Sequence, residues 1–461
     1  MRSPAIRGAA LAVRGVRRRF SWLIGTTVVA YLLAFSRWGS HVSVVVAQLY
    51  VTDILLLLAV VAWLRSGGRL SALRSAPAGL YAVLAIPLIA AIRFAAGPTP
   101  SIDGIRDVAP YAYAVVALFA LAPHSRAAPE RTFLVLRAAL ITHLALVTLV
   151  LLVPTIEQHL PQVTPPGPES RMLSIRPDFA SACFVVLAVT AAQRALHLRR
   201  KPFAARGRLV VELVLLAWSV AVTLRLGARS GLIALVVAVL LIGGRLVPAF
   251  RRLPGRVRIG LVLGAVVALV VVAPRVHAFN RLGQTVQAFG IGVDPNKPPP
   301  DATGTAHARL EAWRHTLRYT NAKTDRQLVG VGFGPNFLHE SGAEALLVGQ
   351  TKDGQPFYSG VRAPHNFLLN TYARMGFVGL GIVLVAFGWV LAAAVRLMRR
   401  SPLELDVMAV AIFVAILIVA MFGVILESPF GAIPAFWAAG WILVREQAVR
   451  PRTAVDLARR R

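Results

Sequence analysis

Apolar segments long enough to cross a lipid bilayer recur through most of this chain, and short basic connectors separate them. The composition agrees with this pattern, since 57% of the residues are hydrophobic, 15% are charged and the mean hydropathy is +0.66. A water-soluble fold could not bury so much apolar surface. We therefore expect an all-α, polytopic integral membrane protein.

The apolar segments predict about twelve transmembrane helices. They cover residues 20–35, 42–64, 79–95, 107–122, 133–153, 178–196, 209–224, 230–244, 259–274, 366–394, 404–426 and 430–444. The three shortest, 209–224, 230–244 and 430–444, could tilt, pair or re-enter rather than cross. A secretory signal is the alternative for the first segment, but its long basic region and the lack of a small-residue cleavage site before Arg37 favour a retained span.

The net charge of +30 is spread over many connectors rather than gathered in one patch, which argues against a nucleic-acid partner. Most of the 50 Lys and Arg residues fall in connectors on the side of the two termini, and basic connectors face the cytoplasm. The predicted organisation is a basic cytoplasmic N-terminus (1–19), spans one to nine (20–274), an extracytoplasmic loop (275–365), spans ten to twelve (366–444) and a basic cytoplasmic tail (445–461).

The predicted extracytoplasmic loop carries three motifs, which are HARLEAWR (307–314), GVGFG (330–334) and RAPHNFLLNTYARMGFVG (362–379). Residues 290–304 are rich in Pro and Gly and predict an irregular connector. From Thr305 onward the pattern becomes helical, with Ala306, Leu310, Trp313 and Leu317 in one stripe beside Arg309, and with His307, Glu311, Arg314 and Arg318 opposite. We therefore expect Arg309 to face the protein and Arg314 to face water, with Glu311 pairing with Arg314 or His315 at helical spacing.

The order of these motifs resembles the O-antigen ligase and O-antigen polymerase family of membrane glycosyltransferases. An arginine lies four residues before a tryptophan, GVGFG follows, and the His-Asn pair at 365–366 opens an apolar helix. The segment TLRLGARSGLIALVVAVLL (223–241) is similar to the family's arginine at the outer start of a span, although Ala228 replaces the common serine before Arg229. SIRPDFASACFVVL (174–187) is similar to its segment entering a span, with Asp178 where asparagine is more usual.

The resemblance implies a C-type glycosyltransferase architecture in the bacterial cytoplasmic (inner) membrane, with an active site facing the periplasm and neither a cofactor nor a required metal. It implies transfer, with inversion, of a glycan from a polyprenyl-pyrophosphate carrier such as undecaprenyl pyrophosphate to the hydroxyl of a glycan or glycolipid acceptor. Arg229 and Arg309 match the family's pyrophosphate-binding arginines, and His365 matches its acceptor-activating histidine. These residue types suit the chemistry, because arginine neutralises a diphosphate and histidine accepts a proton near neutral pH.

Other arginines near the same predicted outer rim are expected to add further substrate contacts. They are Arg176, Arg225, Arg314, Arg362 and Arg374, with Arg314 the weakest because of its wetter face. Each candidate also has a structural interpretation. Arginines at span ends can snorkel to the interface, and His365 could simply precede a helix that Asn366 caps.

The remaining polar features have mainly structural interpretations. GVGFG is expected to form a tight turn rather than a phosphate-binding nest. Asp103 and Asp107 flank Arg106, which favours an ion pair over a metal site, and Asp53 in the middle of a span is expected to pair with Arg93 or Arg106. The single cysteine, Cys183, excludes a disulfide within the chain and a multi-cysteine metal site.

Ligation of a finished glycan is slightly favoured over polymerisation of repeat units, which would use the same donor and the same three residues. A lipid-linked sugar transporter is an alternative from another class, but it would be expected to show paired repeats and broken helices near the midplane. A binding protein of the cell envelope is the third alternative, and it would not need two arginines and a histidine at the outer rim.

Overall fold

A computed structural model describes most of the chain. The described residues are 22–36, 43–44, 49–65, 73–97, 101–121, 128–156, 175–198, 206–251, 304–347, 361–400 and 403–450. The predicted span at 259–274 and the Pro/Gly-rich connector at 290–303 lie outside them.

The described part of the chain is almost entirely helical, as the apolar periodicity predicted. Its elements in order are α1 (Trp22–Ser36), β1 (Ser43–Val44), β2 (Leu49–Tyr50), α2 (Val51–Arg65), α3 (Ala78–Ala95), α4 (Ile102–Ala112) continuing as a 3-10 helix (Tyr113–Leu121), α5 (Ala128–Leu152), α6 (Pro177–Leu198), α7 (Arg206–Leu226), α8 (Arg229–Arg251), α9 (Gly304–Asn321), α10 (Thr324–Val329), α11 (Phe337–Glu340), α12 (Glu344–Leu347), α13 (Phe367–Arg399), α14 (Glu404–Ala420) and α15 (Pro429–Ala448).

Six helical segments within the described residues are long and apolar enough to cross a membrane. They are α3, α4 with its 3-10 continuation, α5, α6, α7 and α13, whereas α1 and the first half of α8 are shorter apolar helices. Each predicted span that falls on described residues therefore contains a helix. A multi-pass membrane architecture is supported, and the expected total of about twelve spans stays a prediction.

Two predicted spans have the wrong bounds. The span expected at 42–64 becomes helical only at Val51, because an antiparallel ladder pairs Ser43–Val44 with Leu49–Tyr50 ahead of it. The span expected at 404–426 stops being helical after Ala420. Gly423 lies in the following turn, where an added Cβ would stand 3.0 Å from a carboxyl oxygen of Asp178, so the chain bends close to the start of α6.

Helix α6 lies at the centre of the bundle and packs against α5, α7, α8 and α14. Elsewhere in the bundle, α15 and the 3-10 helix approach each other closely because Gly440 is small. A Cβ at Gly440 would lie 2.4 Å from the carbonyl oxygen of Ala117 in the 3-10 helix. Large apolar side chains point outward from the peripheral helices, among them Leu88, Leu149 and Val385. Such outward apolar surface is expected where lipid, rather than water, surrounds the helices.

Helix α13 is bent near its amino-terminal end at Gly376, whose φ of 63° lies in the left-handed region. The bend frees the carbonyls of Ala373 and Arg374 to accept hydrogen bonds from Val331 (2.8 Å) and Gly332 (3.0 Å). A Cβ at Gly376 would lie 2.3 Å from the carbonyl carbon of Leu328, so only glycine allows this backbone-to-backbone contact. The GVGFG motif of the predicted extracytoplasmic loop is thereby docked against the start of α13.

Candidate functional site

Helix α9 carries Arg309 into the protein, as its periodicity predicted. Its buried face is formed by Ala312, Thr316 and Thr320, and the two threonine hydroxyls donate to backbone carbonyls one turn earlier. Arg309 lies on the same side at helical spacing and donates from Nη1 to the carbonyl of Phe422 at 2.8 Å. This contact ties α9 to the bend that follows α14.

The opposite face of α9 is exposed and carries Arg314, whose side chain is 63% exposed and pairs with Glu311. That outcome matches the sequence prediction. Leu317 is 40% exposed, so its predicted place in the inward stripe is wrong. The buried threonines take that place, because their hydroxyls are satisfied by the helix itself and no longer penalise burial.

His365 is held in a left-handed conformation (φ 58°) between two anchored neighbours. The carbonyl of Pro364 accepts a hydrogen bond from the indole nitrogen of Trp313 at 2.6 Å. Asn366 accepts from Leu369 N at 3.0 Å as the cap of α13, and it donates to the carbonyl of Met421 at 3.1 Å. The predicted cap is therefore present, and it fixes the backbone on which the imidazole is mounted.

The imidazole of His365 is mostly buried, and its Nδ1 has no hydrogen-bond partner among the described residues. Burial lowers the pKa of His365 to about 4, and the charges of Arg309 and Arg176 lower it further against the opposing charge of Asp178. His365 is therefore neutral at physiological pH. A neutral ring with an unoccupied buried nitrogen can accept a hydrogen bond or a proton from a bound molecule.

Arg229 belongs to the same electrostatic neighbourhood as Arg309. Burial, followed by the nearby charge of Arg229, lowers the pKa of the Arg309 guanidinium. Arg229 is the first residue of α8, directly after a turn in which Gly227 has a φ of 62°. The amino-terminal end of a helix adds partial positive charge, so α8 strengthens a region already rich in cations.

Arg176, which immediately precedes α6, also faces this region. Its Nη2 lies 3.1 Å from Oδ2 of Asp178, and its guanidinium lies 5.7 Å from the centre of the Phe430 ring. Asp178 in turn accepts from the backbone nitrogen of Phe179 at 2.9 Å. The sequence-predicted residues Arg176, Arg229, Arg309 and His365 are thus brought together from four separate parts of the chain.

Glu427 is a candidate residue that sequence reasoning missed. It lies in the turn between α14 and α15, both of its carboxyl oxygens are inaccessible to solvent, and neither has a hydrogen-bond partner among the described residues. Burial raises the pKa of Glu427 to about 8, while the charge of Arg176 opposes the rise. The sequence could have pointed to Glu427, because an acidic residue at the predicted outer end of a transmembrane span is rare.

Arg362 and Arg374 lie in a separate network that secures the GVGFG turn. Arg362 donates to Asp107 at 2.7 and 3.1 Å, and the side chain of Arg374 is 1% exposed and lies 2.9 Å from the same carboxylate. Arg374 also donates to the carbonyls of Gly332 (3.2 Å) and Pro335 (2.7 Å). GVGFG therefore forms a turn, as expected, and the carbonyls of this segment accept hydrogen bonds from arginines. A substrate role for Arg362 and Arg374 stays a prediction.

The other sequence candidates are distributed around the bundle. Arg225 is exposed near the end of α7. Asp103 pairs with Arg106 at 3.8 Å, which agrees with the predicted ion pair. Asp53 accepts from the hydroxyl of Tyr113 at 2.8 Å, whereas Arg93, one of its expected partners, donates to the carbonyl of Gly330 at 2.7 Å.

Comparison with protein families gives one result that bears on this site. Residues 213–384 match the family model described as O-Antigen ligase. The matched stretch begins in α7 and ends within α13, so it contains Arg229, Arg309 and His365. No curated protein matches the chain.

Proposed function

We propose that this chain, whose residues 213–384 match the family model described as O-Antigen ligase, transfers a glycan from a polyprenyl-pyrophosphate carrier to an acceptor hydroxyl. The family match and the apolar helices support a glycan-transfer role in a multi-pass membrane protein. The identity of the donor and acceptor, the residue roles and the position of the site on the outer face of the cytoplasmic membrane are proposed.

One observation carries the proposal, which is the meeting of a neutral, buried histidine with a group of arginines. His365 lies within the electrostatic reach of Arg309 and Arg176, and Arg229 lies within that of Arg309. An anionic group bound among these cations would lie next to a side chain that can take a proton. Transfer from a diphosphate carrier to a hydroxyl needs both elements side by side.

The arginines suit a pyrophosphate, because a guanidinium forms two parallel charge-assisted hydrogen bonds and stays protonated even when buried. Negative charge on the carrier increases as the bond to the sugar breaks, so fixed cations stabilise the transition state more than the ground state. Arg309 and Arg229 are assigned this role. Arg176, which is partly neutralised by Asp178, is assigned a supporting contact.

His365 is assigned the role of general base. The acceptor oxygen forms a bond to the anomeric carbon, its proton passes to the imidazole, and the carrier pyrophosphate leaves with the electron pair of the broken carbon–oxygen bond. Attack from the face opposite the leaving group inverts the anomeric centre. The free Nδ1 is available to accept the proton, with the imidazole oriented by the contacts of its two neighbours.

Donor binding would itself activate this base. In the unliganded site the pKa of His365 is lowered by burial and by neighbouring cations, which makes it neutral but weakly basic. A bound pyrophosphate would place negative charge beside the same cations and cancel much of their effect. His365 then becomes more basic only when the donor is present, which orders donor binding before proton transfer.

The test is reconstitution of the full chain with a polyprenyl-pyrophosphate oligosaccharide and candidate acceptors. His365→Asn should abolish transfer while donor binding is retained, because asparagine tolerates the left-handed backbone but cannot act as a base. The matched control is His339→Asn, at a histidine whose side chain is 79% exposed. Turnover of His365→Asn close to that of the wild type would refute the assignment.

The same assay separates ligation from polymerisation. One product that depends on the added acceptor would support a ligase, whereas a ladder of glycan lengths would support a polymerase. Arg309→Gln should weaken donor binding and turnover together, since the same charge holds the ground state and the leaving group. Arg314→Gln, on the exposed face of the same helix, provides the matched control for that change.

A further inference from the structure

A second polar site lies at the other end of α13 from His365. Three arginines converge there on one carboxylate, since Arg396, Arg400 and Arg450 lie 3.0, 3.6 and 2.9 Å from Oε1 of Glu446. The carboxylate is 3% exposed, whereas the side chains of Arg396 and Arg450 are 37% and 51% exposed. One buried negative charge therefore organises three cations that still reach the surface.

Arg396, Glu446 and Arg450 line a cavity of about 190 Å³ between the start of α3 and the carboxyl-terminal ends of α13 and α15, and Arg400 lies beside it through its contact with Glu446. The cavity has a polar end and an apolar wall. Its polar end contains Arg396, Glu446 and Arg450, and its apolar wall contains Pro77, Ala78, Gly79, Trp389, Ala393 and Leu443. Trp389 is 42% exposed and Ala78 is also exposed, so the apolar wall continues onto the outer surface of the bundle.

Position along α13 places this cavity far from the glycan-transfer site. Arg396 follows Phe377, the first residue beyond the bend at Gly376, by 19 positions, which corresponds to about 30 Å of straight helix. That length matches the hydrocarbon thickness of a bilayer. If His365 lies at one membrane surface, the cavity lies at the opposite surface.

We propose that this cavity binds an anionic phospholipid of the leaflet opposite the glycan-transfer site. Its phosphate occupies the arginine end, and one acyl chain lies along Trp389 and Ala393 toward the lipid. The charges match, because three arginines against one glutamate leave an excess of positive charge. Basic pockets between membrane helices recognise anionic headgroups by this combination of cations and adjoining apolar surface.

Glu446 has a clear part in such a site. Arginines held by a buried carboxylate are pre-oriented, so a phosphate meets them without first ordering three long side chains. Gln447 also lines the cavity, and it donates to the carbonyl of Ser75 at 3.3 Å. The site is therefore built by contacts between α13, α15 and the turn before α3, and it does not depend on glycan transfer.

The experiment measures lipid binding to the purified full chain in neutral detergent by native mass spectrometry and by thermal stabilisation. Phosphatidylglycerol should bind and stabilise the wild type, and phosphatidylcholine should do so much less. Arg450→Gln should weaken phosphatidylglycerol binding about fivefold, as expected for one basic residue near an anionic headgroup. Arg399→Gln, an exposed arginine of α13 that does not line the cavity, should leave binding unchanged.

A second variant tests the apolar wall without changing any charge. Ala78→Trp should fill the mouth of the cavity and reduce phosphatidylglycerol binding while the melting temperature of the lipid-free protein stays unchanged. Equal binding of the two lipids, or unchanged binding in both Arg450→Gln and Ala78→Trp, would overturn the proposal. Displacement of the lipid by millimolar inorganic phosphate alone would also overturn it, because the site would then recognise a phosphate without an acyl chain.

Discussion

The charge of Arg309 should control the basicity of His365, and Arg309→Gln tests this directly. The pKa of His365 lies at about 4 instead of the ordinary 6.5, which corresponds to about 3 kcal/mol against protonation. Burial is the largest cause, the charge of Arg309 is the second and that of Arg176 is the third. Removing the charge of Arg309 should raise the pKa of His365 to a value between about 4 and 6.5, because the effect of burial remains.

The measurement is an NMR titration of the full chain in detergent micelles, with carbon-13 in the imidazole rings. The chain has 10 histidines, and the signal of His365 is identified by its absence from His365→Asn. Arg314→Gln serves as the control, because it removes a positive charge from the same helix on the side facing water. Equal midpoints for His365 in the wild type and in Arg309→Gln would show that the two residues do not share a site. A similar rise in both arginine variants would show only a general effect of net charge.

Three further predictions follow from the same geometry. Because the folded-state pKa of His365 lies below its unfolded value, the wild type should lose stability as pH falls from about 6.5 to about 4, by about 2 kcal/mol at pH 5, and His365→Asn should lose correspondingly less in parallel thermal unfolding. Glu427, with a pKa of about 8, should be uncharged at neutral pH, so Glu427→Gln should keep most turnover and remove a decline in activity above about pH 8. If Glu427→Gln instead lost as much turnover as His365→Asn, the Glu427 carboxylate would be assigned as a base. Gly376→Ala should destabilise the protein by about 1–3 kcal/mol, because φ is positive and the added Cβ would meet the backbone of Leu328 at 2.3 Å. Gly381→Ala, in a helical position with open space, is the control and should be neutral or stabilising. Equal melting temperatures for the two variants would contradict the docking of the GVGFG turn against α13.

Apolar periodicity predicted the helices well, because it acts locally. A run of apolar residues must form a helix in lipid whatever its neighbours are, since its backbone groups have no other partners there. The inward direction of Arg309 followed from helical spacing alone, and the cap at Asn366 followed from its position before an apolar run. The resemblance to the O-antigen ligase family likewise depended on motifs that are short and local, and the family match supports it.

The tertiary structure decided what no local pattern could. Arg176, Arg229, Arg309 and His365 come from separate segments. Only the packing of the helices brings Arg309 and Arg176 close enough to lower the pKa of His365, and Arg229 close enough to lower that of Arg309. Packing also buries both carboxyl oxygens of Glu427. The sequence by itself determined which residue types could serve a diphosphate and a hydroxyl. Their protonation states depend on burial and on the distances between charges, and those arise only when distant segments are brought together.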